Sequence, residues 1–365
     1  MTTDSVPSIA YAEPPELDHI VHLVSPGKLG ESVEQYKQLG FSVERGGVHA
    51  DGLTQNALII LTDGVYIELI EFLEKPLKGY TNENETLNEW KQRRSKHWWW
   101  DRKVGWIDWC LRGGKQDARV ETINKVSNQI EADREKASKK EKTENSEKQM
   151  IPQEEEKSSP LVRYNNSQQG GRRALSGKEI RWNVTFPALF KDIQRGTFPF
   201  WCEDITPRWW RVPTPSPPHP NLTRGLSALT LLYYPENFPS RLASLQLILS
   251  SKQVAQQGFS QIASTIVDTR PPPKTEGRTA LPDSFVELYL ATPEGPLLPI
   301  RIKAADDPAE VEWLETYGEG LFEVEISVAA EKLPSTAPPD GIERESAKLG
   351  YGRLRLHPMR VNIPP

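Results

Sequence analysis

Two ionisable side chains sit inside apolar runs of this chain. His19 lies within Leu17–Val24 (LDHIVHLV) and Glu68 within Val65–Phe72 (VYIELIEF). Both runs read as β-strands, whose side chains alternate between faces, so His19 is expected to share a face with Leu17, Val21 and Leu23. Glu68 likewise falls on the face of Tyr66, Ile70 and Phe72. A carboxylate or imidazole on an apolar strand face is costly unless something pairs with it. If the two strands are neighbours in one curved sheet, a single divalent cation would satisfy both. A nitrogen and oxygen donor set with open positions suits zinc, iron(II), nickel, cobalt or manganese. Such a site would let a substrate with two adjacent oxygens chelate, and would stabilise an enediolate or similar oxyanion. The residue types leave the identity of the metal open.

Other residues could serve the same site. His49 lies in GGVHADGLTQN, where Gly46, Gly47 and Gly52 suggest a loop that folds close over a ligand, with a mobile surface loop as the alternative. Thr54 and Asn56 follow, able either to bond an oxygen-rich substrate or to cap the loop locally. Arg208 and Arg211 flank Trp209 and Trp210. They could clamp a carboxylate or phosphate bidentately, or stack on the tryptophans and pair with Glu203 or Asp204. His22 and Glu71 fall on the opposite strand faces and read as facing solvent or covering elements. His97, beside Trp98–Trp100, reads as part of an amphipathic patch, and His357 as part of a basic tail.

The elements that must position these residues form a pattern. After a polar leader (1–15), a strand at 17–24 leads into an amphipathic helix at Leu29–Leu39, stopped by Gly40. Strands follow at 41–44, 56–62 and 65–72, the last two joined by Asp63-Gly64, a hairpin signal. The order β-α-β-β-β then recurs. Val104–Arg112 opens a second copy with a helix at 117–129 and strands at 180–186 and 198–203. Leu226–Tyr234 opens a third, with a helix near 241–249 and strands at 285–292, 297–303 and 321–328. The expected organisation is therefore a first module with the start of a second (16–112), the second module's helix (113–129), an insertion (130–171), the second module's remaining strands (172–212), a linker with the third module (213–330), and a Pro-rich tail (331–365). Residues 131–148 include twelve charged side chains of mixed sign, and no aromatic residue occurs between Trp109 and Tyr164. That stretch reads as a disordered insertion or a solvated helix, and deleting Ile130–Ser167 is expected to leave the fold intact. The fold class expected is α+β, with repeated β-α-β-β-β modules forming curved half-open sheets around a cleft.

Composition narrows the function. The net charge of −5 over 365 residues gives no reason to expect nucleic acid. No apolar stretch is long enough to cross a bilayer and no signal peptide is evident, so a cytoplasmic protein without membrane partners is expected. Cys110 and Cys202 read as buried free thiols. No G-x-S-x-G elbow, P-loop, GxGxxG, HExxH or paired CxxC occurs.

LDHIVHLV, a helix ending Leu39-Gly40-Phe41, GGVHADGLTQNAL and YIELIEF resemble the glyoxalase-like subgroup of the vicinal-oxygen-chelate superfamily, as do GWIDWCLR, PFWCEDITPRWWRVP and HPNLTRGLSALTLLYY further on. The resemblance implies paired modules around a metal or ligand site. It places a first ligand at His19 and a second at Glu68, which would also be the catalytic carboxylate. The second module's first strand offers Trp106, Asp108 and Cys110 where a further histidine would be usual, and its last strand offers Cys202 and Glu203. His219, ahead of the third module's first strand, is the reserve third ligand. His49, Thr54, Asn56, Arg208 and Arg211 are the substrate-binding candidates. Three functions stand open: a metal-assisted lyase, isomerase or dioxygenase acting on a small oxygen-rich molecule; a metal-free module that sequesters a small ligand; and a scaffold recruiting a partner through the charged insertion. Oligomeric state is left undetermined.

Overall fold

The structure, a computed structural model, describes residues 14–80, 84–146, 160–174, 176–190, 193–213, 218–249, 285–332, 342–344 and 353–358. The leader up to residue 13 and the Pro-rich runs at 271–273 and 334–339 lie outside the described residues.

The first module runs β1 (Glu16–Val24), α1 (Leu29–Gln38), β2 (Glu44–Val48), β3 (Thr54–Ile60) and β4 (Tyr66–Phe72). Helix α1 ends where the sequence says, at Gly40. Its φ of +83° and the approach of Asn221, whose backbone N–H donates to Gly40 O at 3.0 Å, leave no room for a side chain. Strand β2 lies three residues later than expected, and the paired glycines are within it rather than in a loop. The chain then passes through α2 (Leu87–Ser95) to the second module: β5 (Gly105–Arg112), α3 (Gln116–Ser146), β6 (Gln168–Arg173), β7 (Glu179–Thr185) and β8 (Phe200–Asp204), closed by the short α4 (Arg208–Arg211). The remaining elements are β9 (Gly225–Tyr233), α5 (Phe238–Leu249), β10 (Phe285–Leu290), β11 (Leu298–Ala304), α6 (Pro308–Tyr317), β12 (Gly320–Val328), β13 (Ile342–Arg344) and β14 (Arg353–Pro358).

Two sheets result. The first has the order β2-β3-β4-β1-β5-β8-β7-β6. Within it β1 is parallel to β4, β5 is parallel to β8, and β1 meets β5 antiparallel, so two modules join through their first strands. The sheet curls until its edges nearly touch: His49, just past β2, forms an isolated antiparallel bridge with Arg172 of β6. The second sheet, β10-β11-β9-β12-β14-β13, repeats the plan, with β9 parallel to β11, β12 parallel to β14, and β9 antiparallel to β12. Strand β12 was expected to close the third copy; here it stands to β9 as β5 stands to β1.

The main core lies between the two sheets, where Ile20, Trp109 and Trp201 of the first meet Leu229, Ile300 and Val324 of the second. A separate apolar cluster, including Val21, Ile70, Phe186 and Phe200, lines the inside of the curl. Truncating a fully buried Trp of this kind costs about 3–5 kcal/mol, so the between-sheet core is a major source of stability.

The charged stretch divides. Helix α3 carries its first part as far as Ser146, residues 147–159 lie outside the described residues, and the chain is packed again from 160. Leu161 is buried with Val126, Ile130 and Ala243, and the Tyr164 hydroxyl donates to Pro199 O at 2.8 Å. A deletion reaching Ser167 would therefore remove core residues.

Candidate functional site

A β-bulge decides the orientation of the first candidate. The β1–β5 register slips between Leu17 and His19. Because of this extra residue, Leu17 joins the between-sheet core, while His19 faces the cleft with Val21. The expectation that Leu17 shares the His19 face is corrected on that ground. Asp18 instead turns to the imidazole: its Oδ2 lies 2.8 Å from His19 Nδ1. Asp18 is fully buried, and Arg208 and Arg211 both donate to it, Arg211 Nη1 at 2.9 Å. Burial acts to raise the Asp18 carboxyl, but Arg208, Arg211 and the His19 bond overcome it and hold the group well below the usual carboxylate range. An ionised carboxylate can only accept, so Nδ1 of His19 is the donor and Nε2 is turned to the cleft and Glu68. Tyr66 stacks on the ring at 4.6 Å and accepts from Arg211 at 2.7 Å.

Glu68 stands on β4 beside β1, on the face shared with Tyr66, Ile70 and Phe72 as the alternation predicts. Its Oε2 lies 3.7 Å from His19 Nε2, and its Oε1 lies 3.6 Å from His49 Nε2. Asn56, two residues along on the neighbouring strand β3, donates to Oε1 at 2.5 Å. Gly46 makes room for this amide, since a Cβ there would fall 1.8 Å from Asn56 Oδ1. His49 is fixed from behind, its Nδ1 2.6 Å from Thr54 Oγ1. The 49–53 turn is itself pinned by α2, where Trp90 donates to Gly52 O at 3.2 Å and Arg93 to Asp51 O. Helix α2 can do this because Thr86 and Glu89 form a capping box at its start.

These groups line a cavity of about 560 Å³ in the curl of the first sheet, within the range of small-molecule sites. Its first-module side is polar. The second module supplies an aromatic wall, with Phe186 stacked on Phe200 at 4.9 Å and Trp182 beside them, and Trp98 from the α2–β5 connection joins it. Cys202 lies on this wall and Glu203 is exposed. His97, read from sequence as part of a surface patch, is buried at the cleft against Phe72, and burial pulls its pKa down to about 4.

The structure therefore brings His19, Glu68, His49, Thr54 and Asn56 together, and leaves others elsewhere. His219 is corrected as a third ligand. Its Nε2 donates to Ile60 O at 2.8 Å and its Nδ1 accepts from Ser42 N at 2.9 Å, so both ring nitrogens are committed to backbone away from the cavity. Arg208 does not line the cavity, and Arg211 reaches its wall with its guanidinium already held by Asp18 and Asp204. Both arginines orient Asp18 rather than offering a free clamp. His22 is buried under α1, with Tyr36 OH 3.3 Å from its Nδ1, and Glu71 accepts from Leu29 N at the start of that helix. Sequence reasoning missed Asp18 and Arg172. Strict alternation assigned Asp18 to the far face, and Arg172 sits in a strand, QQGGRR, with no apolar signal.

Donors around one cation with bonds of about 2.1 Å stand roughly 3–3.5 Å apart. The His19–Glu68 and His49–Glu68 separations are a few tenths of an ångström longer, so each imidazole can share a cation with Glu68 after a small contraction, whereas the three donors together are spread over more than 4.8 Å and have to close further to hold one ion. Two other groups of three potential donors do lie within 4.8 Å of one another among the described residues, and both are already served by cations of the chain. Asp18 with Cys110 and Cys202 is held by the two arginines, and Asp306 with Asp307 and Glu310 is held by Lys303, 2.6 Å from Glu310.

Paired β-α-β-β-β modules curled around a cleft of this kind define a protein of the vicinal-oxygen-chelate class. The sequence profile of the glyoxalase-like domain matches residues 17–245, and the chain belongs to that family. A comparison with curated proteins finds no match. Similar solved structures include a hypothetical protein from Staphylococcus aureus (12% identity, covering 94% of this chain and 100% of that one, TM-score 0.49). Methylmalonyl-CoA epimerase from Mycobacterium tuberculosis is another (17% identity, 47% and 77%, TM-score 0.23). A mutant 4-hydroxymandelate synthase from Streptomyces coelicolor is a third (7% identity, 87% and 73%, TM-score 0.36). At these scores the likenesses favour no particular reaction. No helix among the described residues is long and apolar enough to cross a membrane.

Proposed function

We propose that this protein is a divalent-metal-dependent enzyme of the lyase or isomerase type, acting on a small oxygen-rich molecule in the first-sheet cleft. One observation carries the reading: two imidazoles, each anchored through Nδ1, present Nε2 to opposite oxygens of one buried carboxylate. His19, Glu68 and His49 would hold the cation by closing the two imidazoles on it from either side of the carboxylate, and when bound it supplies Lewis-acid stabilisation of a developing oxyanion. Asp18 keeps His19 in the ligating tautomer. Asn56 orients Glu68, and the aromatic wall excludes water from the reacting face. The same donors suit dioxygenase chemistry on iron(II), which oxygen consumption by iron-loaded protein would reveal. Metal analysis of protein purified without a histidine tag tests the proposal. Stoichiometric metal, lost in both His19→Ala and Glu68→Ala, is expected. Protein that neither carries metal nor takes up zinc, iron or manganese would sink it.

A second reading, metal-free sequestration of a small ligand, is favoured by the 2.5 Å bond from Asn56 to Glu68, which satisfies one carboxylate oxygen without a cation. Thermal stabilisation by organic ligands but by no metal would select it.

A further inference from the structure

We infer that Arg172 is the specificity residue of the cleft, and that the ligand is a carboxylate carrying an aromatic or bulky apolar body. The inference rests on the reading of the cleft as a small-molecule site and adds its substrate class. Arg172 is 6% exposed and lines the cavity where β6 meets the end of β2. It donates through Nη1 to Gly46 O at 2.8 Å and through Nη2 to Arg211 O at 3.0 Å. Both partners are neutral carbonyls, and they use two of the five N–H groups of the guanidinium. Buried charges in folded proteins are ordinarily ion-paired.

The acidic groups nearby are already committed. Asp18 and Asp204 are taken by Arg208 and Arg211. Glu68 is held by Asn56 and faces the two imidazoles. The cleft thus contains a preorganised cation with no carboxylate in ion-pair contact among the described residues. The planar fork of a guanidinium matches a carboxylate bidentately. Across the cavity, Trp98, Trp99, Phe186 and Phe200 offer an apolar surface to the carbon body of the same molecule.

The test uses full-length protein with chelator present, and follows ligand binding by calorimetry. Three acids (phenylacetate, 3-phenylpropionate and hexanoate) are each compared with their own neutral amide. At least one acid is expected to bind tenfold or more tighter than its amide, with the aromatic acids ahead of hexanoate. In Arg172→Gln the acid should lose that advantage while amide binding changes less than twofold, and Arg172→Lys should fall between. Equal binding of every acid and its amide to wild-type protein overturns the inference without reference to any variant, as does an acid preference that survives in Arg172→Gln. Tighter binding of benzylphosphonate than of any acid overturns the assignment to carboxylates. Because metal is excluded here, an acid preference in protein that never takes up metal would uphold Arg172 while removing the metal-dependent reading. Metal uptake without acid preference would do the reverse.

Discussion

Asp18→Asn tests the link between the fold and the site most directly. The substitution keeps the volume and removes the charge from a group with no solvent exposure. It leaves Arg208 and Arg211 facing a neutral amide. Removing one partner of a buried ion pair costs about 3–5 kcal/mol. Arg211 keeps both of its bonds to Asp204, at 2.6 and 2.7 Å, and Arg208 keeps a longer approach of 3.7 Å, so the lower end applies. At roughly 2–4 °C per kcal/mol for a chain of this order of size, the melting temperature should fall by about 6–12 °C. The pH dependence adds a second check. Asp18 titrates below its unfolded value near 3.8, so its contribution is complete above that pH and is lost as pH falls through the folded pKa. The gap between wild type and variant should be constant from pH 6 to 8 and narrow under acid. Metal affinity should fall about 10–100-fold as His19 loses its orienting anion. A shift under 2 °C, or a gap that does not narrow under acid, would refute the view of Asp18 as the charged anchor of His19.

Other expectations follow from single contacts. Burial pulls His22 from 6.5 to about 3, so the native state refuses a proton that the unfolded chain accepts, and stability is lost as pH falls from 6.5 toward 3. Between pH 7 and 5, denaturant titrations should show His22→Gln losing about 2 kcal/mol less than wild type; parallel losses would contradict it. Gly46→Ala should displace the Asn56 amide, costing about 1–3 kcal/mol by overpacking and weakening metal uptake, whereas unaltered melting and metal content would show that the cleft can relax around a methyl group. Leu161→Ala should cost about 2–4 kcal/mol because its side chain is 1% exposed. A loss below 1 kcal/mol would restore the idea that the whole stretch to Ser167 is dispensable.

The first module was legible because its strands alternate cleanly and its helix carries an apolar face and a glycine stop. His19 and Glu68 stood out for the same reason, as departures from an otherwise regular apolar pattern. Asp18 did not, since a one-residue bulge reverses the face that alternation assigns, and nothing local in LDHIV announces a bulge. Strand β6 was hidden by its own packing. Gly170 lies so close to Trp182 that a Cβ would come within 2.6 Å of Nε1, and at Gly171 it would come within 2.7 Å of Ile180 O. A strand that must be bare to fit carries no apolar signature, so its residues 168–171 were assigned to the insertion and Arg172 to none of the expected strands. His219 was misplaced for the opposite reason. Its position before a first strand imitates that of His19, but the chain there crosses the outer side of the sheet, where the ring ties Ser42 to Ile60.

The cleft is asymmetric in origin. Its polar groups His19, His49, Asn56 and Glu68 come from one module, while Trp182, Phe186, Phe200 and Arg172 come from the other. If the cleft works as proposed, ligand preference and reactive chemistry are written in separate stretches of the gene. Drift in residues 169–202 can re-tailor the molecule that is accepted without touching the donors encoded in residues 19–68. Contacts between the stretches set a boundary on that freedom: Arg172 donates to Gly46 O and bridges His49, and just beyond the stretches Arg208 and Arg211 must go on matching Asp18.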